Sequence, residues 1–578
     1  MSYSNGSANP DNLTNNPISD QSPLGVPDIL NIGQPLDRVV DVEIETNLLD
    51  PVSHNFNTSG GRTTWVFPAK GVLDNRNAAI VFELNAGANN FEFCYPFSVG
   101  GLSCIERCTL RCGGSIISQT DGVNLYSMVK SKFKYSADEQ VGILDVRHKS
   151  SSEILNRVAP ATLATGSANP SFHQLYNPEC DQANSFGKGY NVANTNRHVP
   201  QNSKALVTTA NAGTGPQVVI RLRDIFEFFD QPNRLPLFAM AQVELEIEWS
   251  NGGTAGVVGD LINDSNVIQC GGSAAVDTDT GIPGTPALRN LAGVVTMAGT
   301  PTLMLDYILY SEAERAQIQA VVDSPQGLNL SFMETIRTVG ISPQASAATL
   351  AAAANTTEVI NSNHILGMAG KEVHSICVLK AYDVKSGQGA VERNSVTNGV
   401  QTHLNNLLNQ FKSQQMFGEK YNFVVNNNRI YDRDVENPAV QYNYLTQVGG
   451  SYNTVGAYYN TMNYNANKTT ELLDASWNGK AAVATDAAAG GVNGRTKRYL
   501  AGSNHVIGLS LQKMRGLGPV MGNGQRISTA PIEFNYSRLA IRQTGATDDN
   551  CGAVDLTFFI NYRKSLTIQS LGVSVTDA

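Results

Sequence analysis

Apolar and polar residues alternate along many short stretches of this chain. In the clearest stretch, AQVELEIEW at 241–249, the odd-numbered positions from Val243 to Trp249 are all apolar, and the even-numbered positions between them are all Glu. A period of two is that of a β-strand with one face buried and the other facing water or a partner. The pattern therefore predicts a half-buried antiparallel strand.

Similar β-rich runs begin at residue 39 and recur almost to the end of the chain. They are VVDVEIET (39–46), TTWVFPA (63–69), AAIVFEL (78–84), SFMETIRTVGI (331–341), EVHSICVLKAY (372–382), KYNFVV (420–425), HVIGLSLQKM (505–514), APIEFNYSRLAI (530–541) and VDLTFFINYRKSLTI (554–568). Long stretches rich in Gly, Ala, Asn and Ser separate several of these runs, which favours strands that present large loops.

Helical patterns are few and short. The segment 223–231 has apolar residues at helical spacing and is stopped by Pro232. The segment 311–322 opens with Ser311 followed by Glu314, which is the spacing of a capping box. A third helix is predicted over 402–411. Helices do not alternate with strands, so a parallel sheet is disfavoured and an all-β fold is expected.

The order β block, short helix, β block predicts two consecutive antiparallel eight-stranded jelly rolls, a double jelly roll with long loops. Each block has roughly the length that eight strands and large insertions need. We expect an extended N-terminal arm over 1–38, a first jelly roll over 39–310, a linker helix over 311–324 and a second jelly roll over 325–578. The two blocks do not align residue by residue, so the repeat is expected in architecture alone.

Charge and cysteine content narrow the possible partners. The chain of 578 residues has 41 Lys and Arg against 50 Asp and Glu, a net charge of −9, and eight dispersed cysteines. This balance does not favour binding to nucleic acid or to an anionic membrane, and the cysteines are too few for a disulfide scaffold. We expect synthesis in a reducing compartment, no secretion signal and no transmembrane segment. The arm over 1–38 is more acidic than basic, so it is not expected to package a genome.

Cys104, Cys108 and Cys112, with Cys94 upstream, form the one conspicuous cysteine cluster. On a strand, Cys104 and Cys112 would lie roughly 26 Å apart, and on a helix roughly 12 Å. Two thiolates on one zinc ion can be at most about 4.6 Å apart. The pattern favours a strand whose cysteines pack in a core, with Glu106 marking a β-bulge; a metal site in a coiled loop is the alternative.

Other residues with possible chemistry are scattered. The eight histidines show no His-Glu-x-x-His pair. Asp432 and Asp434 could bind calcium or serve as paired carboxylates, but a solvated loop or an ion pair between subunits is the favoured interpretation. His374 and Cys377 are interpreted as packing residues. We therefore expect no catalytic, cofactor-binding or metal-binding residues, no cofactor, and a protein that is not an enzyme.

Two regions resemble the major capsid proteins of virophages and polinton-like viruses, a lineage shared with adenoviruses and large DNA viruses. The first region comprises 220–249 and 303–319, including Leu235-Pro236-Leu237, Asp306-Tyr307-Ile308 and the acidic stretch 312–315; the second is 506–538. The His-Glu-Tyr segment that follows the helix in giant-virus relatives is absent here, which points toward the smaller viruses.

The resemblance implies a major capsid protein of the virion. Three chains would form a pseudo-hexameric trimer, and such capsomers would tile an icosahedral DNA-virus shell assembled inside the host cell. Its implied partners are its own copies in a homotrimer, neighbouring capsomers, and penton and minor capsid proteins, without sequence-specific nucleic acid contacts. The alternative is a β-sandwich carbohydrate-binding or carbohydrate-cleaving protein, because such proteins also use jelly rolls.

Overall fold

A computed structural model describes most of the β-rich part of the chain. The described residues are 42–56, 61–86, 92–94, 102, 104–130, 204–206, 217–230, 234–249, 295–297, 299–351, 356–382, 418–448, 506–512, 524–542, 551–570 and 572–577. The expected N-terminal arm over 1–38 and the expected helix over 402–411 lie outside these residues.

Two stacked sheets form the first half. One sheet runs β1-β12-β4, and both β9 and β11 pair with β4; the other runs β2-β3-β10-β6-β7, and a small separate ribbon joins β5 to β8. The strands are β1 Val42–Leu49, β2 Ser53–His54, β3 Arg62–Val66, β4 Val72–Ala86, β5 Glu92–Cys94, β6 Ile105–Cys112, β7 Ser115–Asp121, β8 Lys204–Leu206, β9 Gln217–Arg221, β10 Val243–Trp249, β11 Val295–Met297 and β12 Thr302–Tyr310.

The second half repeats this construction. One sheet runs β13-β21-β15-β18, with β19 also on β15 and β22 on β21; the other runs β14-β20-β16-β17. The strands are β13 Leu328–Ser342, β14 Thr356–Leu366, β15 Glu372–Tyr382, β16 Lys420–Val425, β17 Asn428–Arg429, β18 Ile507–Ser510, β19 Gln525–Arg526, β20 Ile532–Arg542, β21 Val554–Gln569 and β22 Gly572–Asp577.

The strand order identifies the fold. Eight strands of each half can be numbered as positions 1 to 8 in chain order. In the first half they are β1, β3, β4, β6, β7, β9, β10 and β12, and in the second half they are β13, β14, β15, β16, β17, β18, β20 and β21. In both halves one sheet then has the order 1-8-3-6 and the other the order 2-7-4-5, the two-sheet arrangement of a jelly roll. The predicted all-β double jelly roll is confirmed, and the halves match in topology.

Helices are short, as expected. The described α-helices are α1 Val123–Val129, α2 Leu222–Ile225, α3 Glu312–Val322, α4 Ala347–Leu350 and α5 Pro438–Val448. Ser311 is the N-cap of α3, and one half of the predicted capping box is present, because the Ser311 hydroxyl accepts a hydrogen bond from the Glu314 N–H at 3.5 Å. The single helix predicted over 223–231 is wrong: α2 ends at Ile225, Phe226 is extended, and a 3₁₀ turn spans Glu227–Asp230.

The two hydrophobic cores are not independent. The core of the first jelly roll includes residues from the beginning of β13 and the end of β21, among them Leu330, Phe332 and Leu566. Phe332 meets Phe228 of the first half edge to face, with ring centroids 4.8 Å apart. The strands at positions 1 and 8 of the second jelly roll therefore run from one core into the other. The limits 39–310, 311–324 and 325–578 stay a prediction.

Candidate functional site: the junction between the jelly rolls

The junction joins one side of the first jelly roll to a different side of the second. From the first come β7 and α1, the helix that follows position 5; from the second come β13, β21 and β15. Tyr126 and Val129 of α1 pack on Phe559, Cys377 and Leu379 in an apolar cluster, and the Tyr126 and Phe559 rings lie 5.1 Å apart. Because the contacting surfaces differ, the contact is heterologous.

A buried chain of polar groups crosses the junction. The Lys130 ammonium lies 3.1 Å from Glu227 Oε1 and donates to the Arg223 carbonyl at 2.9 Å. The Tyr126 hydroxyl donates to Glu227 Oε1 at 2.6 Å and lies 3.1 Å from Asn561 Oδ1 of the second jelly roll. Burial, reinforced by the Glu227 charge, raises the pKa of Tyr126 well above its usual value. These buried groups satisfy each other and fix the relative position of the two halves.

Glu334 forms the second polar link across the junction. Its carboxylate accepts hydrogen bonds from the Ser118 hydroxyl and the Gln119 N–H, both at 2.7 Å. The side chain is buried, and this burial raises its pKa to about 7, while the Lys564 charge and the two hydrogen bonds act in the opposite direction. The pKa shift is therefore a consequence of packing two jelly rolls around one carboxylate.

A β-bulge supplies the third link. Trp249 pairs with Ile105 and Glu248 with Arg107, so Glu106 is the extra residue of the strand, as the sequence predicted. Its carboxylate lies 3.0 Å from Arg337 Nη1 on β13. Gly122, with φ of +65°, lies under the same arginine, where an added Cβ would come within 2.9 Å of Arg337 Cδ. The bulge and the glycine thus let Arg337 approach the first jelly roll.

The cysteine cluster lies in the core of the first jelly roll. Cys104, Cys108 and Cys112 are buried along β6 and its approach, all within one hydrophobic cluster. Burial raises the pKa of Cys108 well above its usual value and that of Cys112 to about 11. Zinc binds the thiolate form, which such burial disfavours. The positions support packing, and the side chain of Cys94 is not among the described ones.

His374 and Cys377 are buried in β15, where they pack as interpreted from the sequence. Burial lowers the pKa of His374, although Glu372, whose Oε1 lies 3.3 Å from Nε2, opposes the shift. Of the remaining histidines, His148, His173, His198, His403 and His505 lie outside the described residues, and His54 and His364 lie far apart in the sequence on separate jelly rolls.

Asp432 and Asp434 lie in the exposed turn after β17. Asp434 forms an ion pair with Arg429 and accepts a hydrogen bond from Asn422 at 3.4 Å. The exposed turn agrees with the interpretation of a solvated loop, and the ion pair joins two residues of the same chain rather than two subunits. Within the part of the chain that the structure describes, no three His, Cys, Asp or Glu side chains gather as a metal site.

Lys380 is a buried amine that the sequence analysis did not single out, and the shift of its pKa could suggest a catalytic role. Burial lowers its pKa to about 8, with the charge of Glu419 acting in the opposite direction. Its ammonium is hydrogen-bonded to Glu419, and both side chains are almost completely enclosed. A substrate has no access to this amine, so the pair acts as a structural contact inside the second jelly roll.

Among the described residues, no helix has the length and apolar character required to cross a membrane. No family model and no curated protein matches the chain.

Several solved structures resemble the chain over nearly its whole length. PBCV-1 VP54, fitted into a reconstruction of the virophage Sputnik, is 11% identical, covers 95% of this chain and 99% of its own, and has a TM-score of 0.49. The Faustovirus major capsid protein is 9% identical, with 93% and 92% covered and a TM-score of 0.48. The mavirus major capsid protein is 11% identical, with 94% and 92% covered and a TM-score of 0.43. At these identities the likeness concerns the fold, which the strand order establishes independently.

Proposed function

We propose that this chain is a major capsid protein, a structural rather than catalytic subunit of a DNA-virus shell. The observation that carries the proposal is the rigid heterologous junction, which holds two jelly rolls of identical topology side by side in one chain. Three such chains would supply six similar units, so a closed three-fold ring would have the outline of a hexagon. A hexagonal outline suits a subunit that must meet six neighbours in a lattice.

The proposal extends to the partners and the location of the chain. Copies associate as a homotrimer, trimers contact neighbouring trimers, and penton and minor capsid proteins close the icosahedral shell of the virion. The chain is made and assembled inside the host cell. The buried ionisable groups of the junction are hydrogen-bonded to one another, which supports a structural rather than a chemical role.

The mass of the purified full-length chain in solution tests the proposal. Light scattering should give three times the chain mass of 62.0 kDa, and negative-stain images should show uniform particles with a hexagonal outline. A monomer that is retained on an immobilised glycan would contradict the proposal and would favour the carbohydrate-binding alternative.

A further inference from the structure

A histidine near the start of β15 is enclosed without a hydrogen bond. In the pairing of β15 with β21, the register shifts between Val373 and Ser375, so His374 is the extra residue of a β-bulge. The residue is 1% exposed, and neither ring nitrogen has a hydrogen-bond partner among the described residues. Buried polar groups in folded proteins are nearly always hydrogen-bonded, so this exception calls for an explanation.

The short segment 524–527, which contains β19, packs against the ring through Gly524. We call this segment the β19 lid. An added Cβ on Gly524 would lie 2.6 Å from His374 Cδ2 and 2.8 Å from the Val373 carbonyl oxygen. Because glycine has no Cβ, the lid can close directly over the histidine.

Few contacts hold the β19 lid in place. Strand β19 has two residues, and both pair with the start of β15. Hydrogen bonds to four residues outside the lid complete its attachment: Gly370, Lys371, Glu372 and Asn426. A segment with so few bonds opens at a lower free energy than long central strands such as β21. The lid is therefore the element around His374 that can move most easily.

The charges beside the ring are balanced while the ring is neutral. Glu372 Oε1 lies 3.3 Å from His374 Nε2, and Glu372 Oε2 lies 3.5 Å from Arg563 Nη1. The side chains of Glu372 and Arg563 are 14% and 15% exposed, so one negative charge faces one positive charge in a mostly enclosed place. A proton on His374 would place a second positive charge beside a single carboxylate.

The other charged side chains near the ring are used elsewhere. Strand β18 has no charged residue, Arg526 of the β19 lid is exposed, and Lys371 pairs with Asp577 at 3.2 Å. Burial lowers the pKa of His374 from its ordinary value of 6.5, while Glu372 opposes this shift and Arg563 adds to it. The ring therefore accepts a proton more readily once the lid is open and water reaches it.

We propose that His374 is an acid sensor whose protonation opens the β19 lid. At neutral pH the ring is uncharged and the lid stays closed. As the pH falls below 6.5, the open form binds a proton that the closed form does not hold, so acid favours opening. One proton changes this equilibrium by at most about tenfold for each pH unit. Opening withdraws Ile527 from the second core and exposes the start of β15.

Hydrogen exchange of the full-length chain, followed by mass spectrometry between pH 7 and pH 5, tests the sensor. After correction for intrinsic exchange rates, the protection of the β19 lid should fall several-fold, whereas the centre of β21 should keep its protection. His374→Gln removes the titrating ring, and the lid of this variant should show no pH dependence. If H374Q does not fold, His374→Phe supplies an uncharged ring instead.

The matched control is His364→Gln on β14. Burial lowers the pKa of His364 as well, but this residue lies on a strand that does not pair with β15 or β19. The lid of H364Q should lose protection at pH 5 as the wild type does. A lid that keeps its protection in H364Q at pH 5 would show that His374 is not the source of the acid effect.

The pKa of His374 in the wild type gives a second test that needs no variant. Exchange of the imidazole C2 proton, measured by mass spectrometry, should give a value below 6.5. A value at or above 6.5 would overturn the inference, and so would a lid that is unprotected at pH 7, unchanged at pH 5, or equally acid-sensitive in H374Q. The inference concerns a single chain, so these outcomes leave the proposed function to its own test.

Discussion

The strands at position 1 of the two jelly rolls, β1 and β13, have the same place in the topology but different surroundings. The beginning of β13 is buried between the two halves, where Phe332 belongs to the first core and Glu334 bonds to β7. The outward face of β1 is apolar and exposed. The two strands therefore differ in what covers them. The first jelly roll covers the beginning of β13, whereas the described residues of this chain leave the outward face of β1 exposed.

Substitutions in the buried half of β13 should cause the largest change in the free energy of unfolding. The substitution Phe332→Ala removes an aromatic side chain that both jelly rolls enclose. Because it leaves a cavity in the core, we expect the free energy of unfolding to fall by about 3–5 kcal/mol. Val339→Ala, on the exposed half of the same strand, is the matched control and should change stability by less than about 0.5 kcal/mol. Urea denaturation measures both, and equal effects would show that β13 is not divided between a core and a surface.

Glu334 should give the junction a pH dependence. Its pKa of about 7 in the folded chain lies above the ordinary value of 4.5 for a Glu side chain, so between these pH values the folded chain holds a proton that the unfolded chain has lost. The stabilisation is complete below pH 4.5 and declines as the pH rises to 7, by roughly 3 kcal/mol at most. Glu334→Gln should remove this decline, so that the variant gains relative to the wild type from pH 5 to pH 8.

Urea midpoints at several pH values between 5 and 8 measure this effect. Glu244→Gln, on the outward face of β10, serves as the control and should follow the wild-type curve. If E334Q retained the full pH dependence of the wild type, the carboxylate at the junction would not be its source.

The smallest expected effect concerns the ion pair between Glu106 and Arg337. Both side chains are partly exposed, so Glu106→Gln should lower the free energy of unfolding by no more than about 1 kcal/mol, and less in high salt. Thermal unfolding at low and high ionic strength measures the change. A loss of several kcal/mol would mean that the bulge, rather than the ion pair, had been disturbed.

Sequence patterns predicted the elements whose signal is local. The alternation in 243–249 fixed β10, Glu106 marked the bulge, and Ser311 with Glu314 located the start of α3. Strand β14 was missed, because its exposed face carries polar residues such as Asn361 and Asn363 that are typical of loops. Helix α5 was missed because its apolar residues lack a clear helical period.

The junction could not be predicted in the same way. Ser118 and Glu334 are separated by 216 positions, and no local pattern pairs residues across such a distance. A single acid within the apolar run SFMETI was the one available signal, and it is equally compatible with a bulge or an exposed position. The contact depends on how two sheets meet, which is a property of the assembled fold.

The passage of β13 and β21 through both cores has a practical consequence for anyone who handles this protein. A proteolytic nick in the turn after α3, between Asp323 and Gly327, would cut the covalent connection but not the interleaved strands. The two fragments should copurify until a denaturant is added, whereas either fragment expressed alone should precipitate.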